Sequence, residues 1–277
     1  MQKIGKEVIA IDFGGTNLRT ALVRNYKIIN LIRKKTPATK EGILIEMINS
    51  VSELMNKNIG GIGIASPGPL KNGIIINPPN IPFRNFDMKK YFEKRFRIKV
   101  EVENDAKCAA LAEFKLGAGK GKKNFFILTL GTGIGGGVFI DGKLFNAGDI
   151  GAELGSSYLY EGKTFEELAG GVSVREKSRK YLGNEFNISD LIKMKNQEAK
   201  EIVDETSEYL GRGIGSLINV FNPEIVVLAG GMRVGGDKFL KQIREKTKKY
   251  ILLPGDYNIV WSKLEEPGVL GAALLFD

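Results

Sequence analysis

The chain has 277 residues, 43% of them hydrophobic, with a formal net charge of +9, one cysteine and no histidine. That length allows two modest domains with real cores, and no apolar stretch approaches the ~20 residues of a membrane span. The lack of histidine and the single Cys108 exclude an intrachain disulfide, a Cys/His zinc site and any Ser-His-Asp or Cys-His mechanism, so a general base has to be Asp, Glu, Lys or Tyr.

Residues 1–6 run almost at once into an apolar strand and carry no signal-peptide pattern, so a cytoplasmic protein is expected. Strands are predicted over 8–13, 18–23 and 27–32, with Asp12-Phe13-Gly14-Gly15-Thr16 turning the first hairpin. A helix over 41–57 carries Ile43, Leu44, Met47, Ile48, Val51, Leu54 and Met55 on one face. A strand over 59–65 ends in Ser66-Pro67-Gly68-Pro69, and a short strand over 73–76 precedes a proline-rich stretch. A helix over 88–96 and a strand over 98–103 follow, and Asn104-Asp105 then opens a helix over 106–117. The glycine- and lysine-rich 117–123 reads as a boundary. Beyond it come a strand over 125–130, the turn Gly131-Thr132-Gly133-Ile134-Gly135-Gly136-Gly137 and a strand over 138–140. A long helix over 198–221 is stopped by Asn222-Pro223. The apolar run 225–229 reads as a strand buried on both faces, ended by Gly230-Gly231. A helix over 238–249, a strand over 259–262 and a helix over 268–276 complete the chain. The second half echoes the first, which predicts an internal duplication with a cleft between the halves.

The two glycine–threonine turns carry the chemistry. Glycine lets backbone N–H groups approach an anion closely, and a curved run of such groups cradles phosphate oxygens. Two cradles predict a polyphosphate held between two lobes, hence nucleotide-dependent phosphoryl transfer. Each feature also has a plain structural reading. Asp12 can cap its turn, Asn104 and Asp105 are preferred N-cap residues, and 131–137 can be a flexible hairpin. Basic residues cluster only at 33–35, 120–123 and 246–249 without interleaved aromatics, so the positive charge reads as solvated surface and no nucleic-acid or membrane partner is expected. Cys108 reads as a small core residue, and Tyr257 and Trp261 as structural packing.

Five segments in this order resemble the ROK sugar kinases (repressors, open reading frames and kinases) of the actin/hexokinase superfamily. They are Ala10-Ile11-Asp12-Phe13-Gly14-Gly15-Thr16, Gly63-Ile64-Ala65-Ser66-Pro67-Gly68-Pro69, Val102-Glu103-Asn104-Asp105-Ala106, Leu130 to Gly137, and Val227-Leu228-Ala229-Gly230-Gly231. The resemblance implies an α/β, two-domain actin-like ATPase (ribonuclease H-like) fold with a cleft between duplicated mixed sheets. A small N-terminal domain, 1–117 plus about 264–277, would carry the base and the first phosphate loop. A larger domain, 118–263, would carry the second loop and the adenosine site.

The resemblance also assigns roles. Asp12 would hold Mg²⁺, directly or through water. Gly14, Gly15, Thr16 and Asn17 would cradle phosphate, as would Gly131, Thr132 and Gly133, while Gly230 and Gly231 would meet the adenosine of ATP. Asp105 would be the general base, with Asn104 and Gly68 at the sugar. Glu153 and Glu166 match the family's sugar-binding glutamates. The chain departs from the family at Ser156, where histidine is usual, and over 157–163, where a short loop without cysteine replaces a zinc loop, so no zinc site is expected. The implied activity is ATP-dependent phosphorylation of the 6-hydroxyl of glucose or a related hexose. An N-acetylhexosamine, mannose or fructose acceptor stays open. A sugar-responsive repressor is disfavoured, since the first phosphate strand at Val8 leaves no room for a preceding helix-turn-helix domain; a non-catalytic sugar sensor is disfavoured by Asp12, Asp105 and both loops. Family members are often homodimers, and no apolar interface stripe stands out in this sequence.

Overall fold

The computed structural model describes residues 7–277. The expectation drawn from residues 1–6 therefore lies outside the described residues. The chain divides into two compact units: Met1–Lys115 with Asn146–Gly151 and Leu264–Asp277, and Leu116–Phe145 with Ala152–Lys263. One segment differs from expectation. Residues 146–151, placed by sequence in the second domain, pack with the first unit.

In the first unit, strands β1 (Glu7–Phe13), β2 (Asn17–Arg24) and β3 (Lys27–Lys35) form an antiparallel meander. Helix α1 (Lys40–Leu54) leads to β4 (Ile59–Ser66), which lies parallel to β1. Three two-residue strands, β5 (Leu70–Lys71), β6 (Ile74–Ile75) and β7 (Phe86–Asp87), form a small separate sheet. Helix α2 (Met88–Phe96) leads to β8 (Val100–Asn104), parallel to β4, and α3 (Asp105–Leu116) follows without a loop. The main sheet has the order β3-β2-β1-β4-β8.

Alternation along β1 sorts its side chains between two cores. Ile9, Ile11 and Phe13 join Met47, Val51, Ile62, Ile64 and Phe92 on one face. Val8 and Ala10 join Ala65, Cys108, Val269 and Ala272 on the other. Asp12 belongs by register to the second face, and this decides its surroundings.

The second unit repeats this plan. Strands β9 (Phe125–Leu130), β10 (Ile134–Ile140) and β11 (Lys143–Leu144) form an antiparallel meander. A hairpin, β12 (Tyr158–Tyr160) and β13 (Lys163–Thr164), stands where a loop was expected; Glu161 and Gly162 turn it with φ of 47° and 71°, as a two-residue hairpin requires. Helices α4 (Phe165–Ala169), α5 (Gly171–Leu182) and α6 (Ile188–Lys193) precede the 25-residue α7 (Gln197–Phe221). Strand β14 (Ile225–Ala229) is fully buried and parallel to β9. Helix α8 (Gly236–Lys248) packs on α7, and β15 (Ile259–Trp261) completes a sheet of order β11-β10-β9-β14-β15. Three antiparallel strands followed by two parallel ones recur in both sheets, which is the expected duplication.

The last helix, α9 (Pro267–Leu274), returns to the first unit and lies on β1 and β4. It does so at backbone contact: a Cβ on Gly63 of β4 would stand 1.9 Å from the Ala272 carbonyl oxygen, and one on Gly271 would stand 1.7 Å from that of Cys108 in α3. Glycine is required there by closeness rather than by dihedral angle. Cys108 is fully buried, and burial holds its thiol well above the usual range, as suits a core residue rather than a nucleophile. Trp261 stacks on Phe239 and donates its indole N–H to the Gly236 carbonyl, and Tyr257 donates to Asn222, so both serve packing.

One ion-pair cluster on α7 has a testable pH signature. Burial pushes the Glu208 carboxyl up, but the Tyr250 hydroxyl and the Lys246 and Lys249 ammoniums outweigh it and hold it at about 2. A carboxyl depressed in the folded state stabilises above its unfolded value of 4.5 and loses that contribution as pH falls from there toward 2. The side chain is 26% exposed, so screening limits the effect to about 1 kcal/mol. Glu208→Gln is expected to lower the melting temperature at pH 7 and to converge on the parent protein near the acid end of a thermal-melt series.

Candidate active site

In the first unit the site residues gather at the carboxyl ends of three adjacent parallel strands. Asp12 ends β1 opposite Ala65 of β4, and Ser66 of β4 pairs with Asn104 of β8. Gly68 follows β4 by two residues. Ligands of α/β sheets bind at such strand ends, where loops and helix N-termini present their amides.

Asp105 is the first residue of α3, and Asn104 is its N-cap. The Asn104 side-chain oxygen accepts from the Ala106 and Lys107 amides at 2.9 and 3.1 Å, and Asp105 Oδ1 accepts from the Ala106 amide at 2.7 Å. Asn104 does the capping, and the half-buried Asp105 is held at the positive end of α3.

Asp12 faces the start of α9. A Cβ on Gly268 would meet its Oδ2 at 2.7 Å, so the glycine lets the first turn of α9 approach the carboxylate. Arg19 bridges Asp12 at 3.3 Å and Glu266 at 3.0 Å, and Arg33 holds the other Glu266 oxygen at 2.9 Å. Burial pushes the Asp12 carboxyl up to about 6; the Arg19 guanidinium pulls it down and Glu266 adds to the rise. The Asp12 charge is thus only partly compensated. Among the described residues no group of three or more Asp, Glu, Cys or His could hold a metal alone. A single carboxylate of this kind fits Mg²⁺, which takes one or two carboxylates and completes its shell with water and phosphate oxygens. Sequence reading missed Arg19, yet the hairpin carries the signal: once Gly14 to Thr16 form the turn, Asp12 and Arg19 are cross-strand partners.

The first turn corrects one detail. The Gly14 N–H donates to the Asn17 carbonyl at 2.9 Å, so it closes the hairpin and is not a phosphate donor. The Gly14 carbonyl accepts from the Thr36 hydroxyl. A Cβ on Gly14 would meet nothing within 4 Å, and its φ lies outside the left-handed region, so neither space nor backbone demands glycine there. Gly15, Thr16 and Asn17 are exposed on the turn.

In the second unit Gly131–Gly133 follows β9 and Gly230–Gly231 follows β14, its parallel neighbour. The turn is shorter than expected: β10 begins at Ile134, so Gly135, Gly136 and Gly137 lie in a strand. Gly136 has a packing reason, since a Cβ there would stand 2.4 Å from the Leu154 side chain. The Gly131 N–H is spent on the Gly133 carbonyl, while Gly131, like Gly14, is glycine without a packing demand. Gly230 has φ of 93° and sits against the Leu130 backbone, so the fold itself requires it; Gly231 has open space.

Glu166 and Glu167 on α4 divide their work. Glu167 completes a capping box with Thr164. Glu166 turns back to the glycine turn: its Oε2 accepts from the Ile134 amide at 3.1 Å, and a Cβ on Gly133 would stand 2.1 Å from it. Glu153 and Ser156 are exposed. They flank Gly155, whose missing side chain admits the Ile134 carbonyl. Gly155, Glu166 and the turn thus converge on the first residue of β10.

Comparison with known proteins shows which family the chain belongs to. The ROK family model matches residues 8–277. A glucokinase of Thermotoga maritima is 32% identical over 304 residues, covering 96% of both chains. A beta-glucoside kinase of Listeria monocytogenes is 30% identical over 289 residues, covering 98% of this chain and 97% of that protein. The crystal structure of a ROK family glucokinase from Streptomyces griseus in complex with glucose and AMPPNP superposes with a TM-score of 0.86 at 26% identity, covering 97% of this chain and 98% of that one.

Proposed function

This chain belongs to the ROK family of sugar kinases with the actin-like ATPase fold, and from that premise we propose that it transfers the γ-phosphoryl group of ATP to the 6-hydroxyl of glucose or a related hexose. The observation that carries the proposal is Asp105, a carboxylate fixed at the N-terminus of α3 in the same row of strand ends as Asp12 and its glycine turn. Asp105 accepts the proton of the sugar hydroxyl as that oxygen attacks the γ-phosphorus; the bond to the β,γ-bridging oxygen breaks and ADP leaves. Asn104, Gly68, Glu153 and Glu166 hold sugar hydroxyls, which carboxylates do well because each oxygen accepts in a fixed direction. Gly15, Thr16 and Asn17, and Thr132 and Gly133, hold phosphate through backbone and side-chain donors, Gly131 leaves the space for its close approach, and Gly231 lies at the adenosine. Asp12 would hold Mg²⁺, which when bound would neutralise charge on the phosphate oxygens.

Ser156 and the Tyr158–Thr164 hairpin shape the sugar end. The beta-glucoside kinase among the relatives keeps the acceptor class open beyond glucose. The test is ADP release with ATP and a panel of glucose, mannose, fructose, N-acetylhexosamines and a β-glucoside. Glucose or a close relative is expected to give the highest kcat/KM, and no release above the water rate with any of them would refute the proposal.

The open glycines allow a second test. Gly14→Ala and Gly131→Ala each add one methyl where the protein has room. The melting temperature is expected to hold within about 2 °C. The nucleotide KM is expected to rise roughly tenfold, because the methyl obstructs close approach of the phosphates to the backbone. An unchanged nucleotide KM in both variants would remove these turns from phosphate binding.

A further inference from the structure

A buried lysine two residues past Asp105 is unused by the chemistry above. Lys107 is 2% exposed. Its ammonium donates to the Asn146 side-chain oxygen at 2.5 Å and to the Asp149 carbonyl at 2.6 Å, and stands 3.9 Å from Glu103 Oε1. Asn146 in turn donates to Asp149 Oδ1 at 2.9 Å, and Asp149 Oδ2 accepts from the Asn72 amide at 3.1 Å. A charge is costly to bury unless it is paired and its donors are used, and these partners use them.

The segment that Lys107 grips has little else to hold it. Its short helical turn, Ala147–Asp149, has no buried residue, and Ala147, Gly148 and Ile150 are exposed. Ala147, Gly148 and Asp149 all have positive φ, with Gly148 at 69° and Asp149 at 74°. Backbone of that kind persists only where its surroundings over-determine it. The Lys107 ammonium finds two oxygens here. Four residues beyond Asp149 the chain reaches Glu153.

We infer that Lys107 is a positioning residue for the sugar end: its ammonium clamps residues 146–151 onto the first unit and so fixes the stretch of chain that delivers Glu153. This rests on the reading of Glu153 as a sugar ligand. It also accounts for the boundary segment that sequence placed in the wrong domain.

The test compares Lys107→Met and Asn146→Ala with the parent full-length protein by steady-state kinetics and by hydrogen exchange. The sugar KM is expected to rise about tenfold in Lys107→Met and less in Asn146→Ala. The nucleotide KM is expected to stay within about twofold, and peptides spanning 146–153 to exchange faster in both variants. The double variant is expected to be no worse than Lys107→Met alone, since both remove one interaction. If Lys107→Met does not fold, Asn146→Ala, altered on the half-buried loop side, carries the comparison. Unchanged exchange over 146–153, or equal rises in both KM values, would overturn the inference, because a merely structural lysine would lower stability without selecting the sugar. Parent protein that phosphorylates no sugar would instead sink the kinase reading, and the exchange comparison would still decide the clamp.

Discussion

Asp105→Asn is expected to lower kcat for ATP-dependent sugar phosphorylation by ~10²–10⁴-fold while sugar affinity changes little. The substitution removes the proton acceptor and keeps the shape. An asparagine still offers an oxygen to the Ala106 amide, and the N-cap itself belongs to Asn104, so α3 keeps its first turn. That separation makes the experiment clean: loss of turnover cannot be laid to a frayed helix if thermal melts coincide. Sugar affinity by calorimetry is expected to stay within a few-fold, because on the proposed reading Asn104, Glu153 and Glu166 still bind hydroxyls. The acceleration that remains comes from holding the reactants in line. Turnover retained within tenfold of the parent would take Asp105 out of the mechanism.

The second large effect concerns stability. Gly271→Ala is expected to destabilise the first unit by about 3 kcal/mol or more, a fall of roughly 6–12 °C in melting temperature. The added methyl would stand 1.7 Å from the Cys108 carbonyl, and the obstacle is backbone, which cannot rotate aside as a side chain would. Gly63→Ala meets the Ala272 carbonyl at 1.9 Å from the opposite side of α9 and is expected to behave alike. Gly63→Ala pushes α9 off the sheet, and Gly271→Ala pushes it off α3. Since Gly268 at the start of α9 lies against Asp12, activity is expected to fall along with stability. A melting temperature within 2 °C of the parent for both variants would show that α9 has slack the packing does not reveal.

The sequence made much of this legible. Strong periodicity placed α1 and α7, a continuous apolar run placed the buried strand β14, and the doubled hairpin-helix-strand order announced the repeated sheet. Asn104-Asp105 could be placed at a strand–helix junction because cap residues mark one. What stayed hidden has physical reasons. Helices α4, α5 and α6 are short or polar, so hydrophobic periodicity is weak; their signals were the capping boxes Thr164 with Glu167 and Asn187 with Asp190. The run 131–137 looked like one loop because glycine is read locally as a turn former. Gly136 is instead glycine because Leu154 lies on it, a contact no local reading gives. Nothing local marks Lys107, since burial of its ammonium depends on a segment almost 40 residues away in the chain.

The most direct measurement is product identity. Purified protein with ATP, Mg²⁺ and glucose is expected to form one glucose 6-phosphate per ADP, and 6-deoxyglucose, which lacks the attacking hydroxyl, is expected to yield no phosphosugar. ADP formed without a phosphosugar, or a phosphosugar formed from 6-deoxyglucose, would contradict transfer to the 6-hydroxyl.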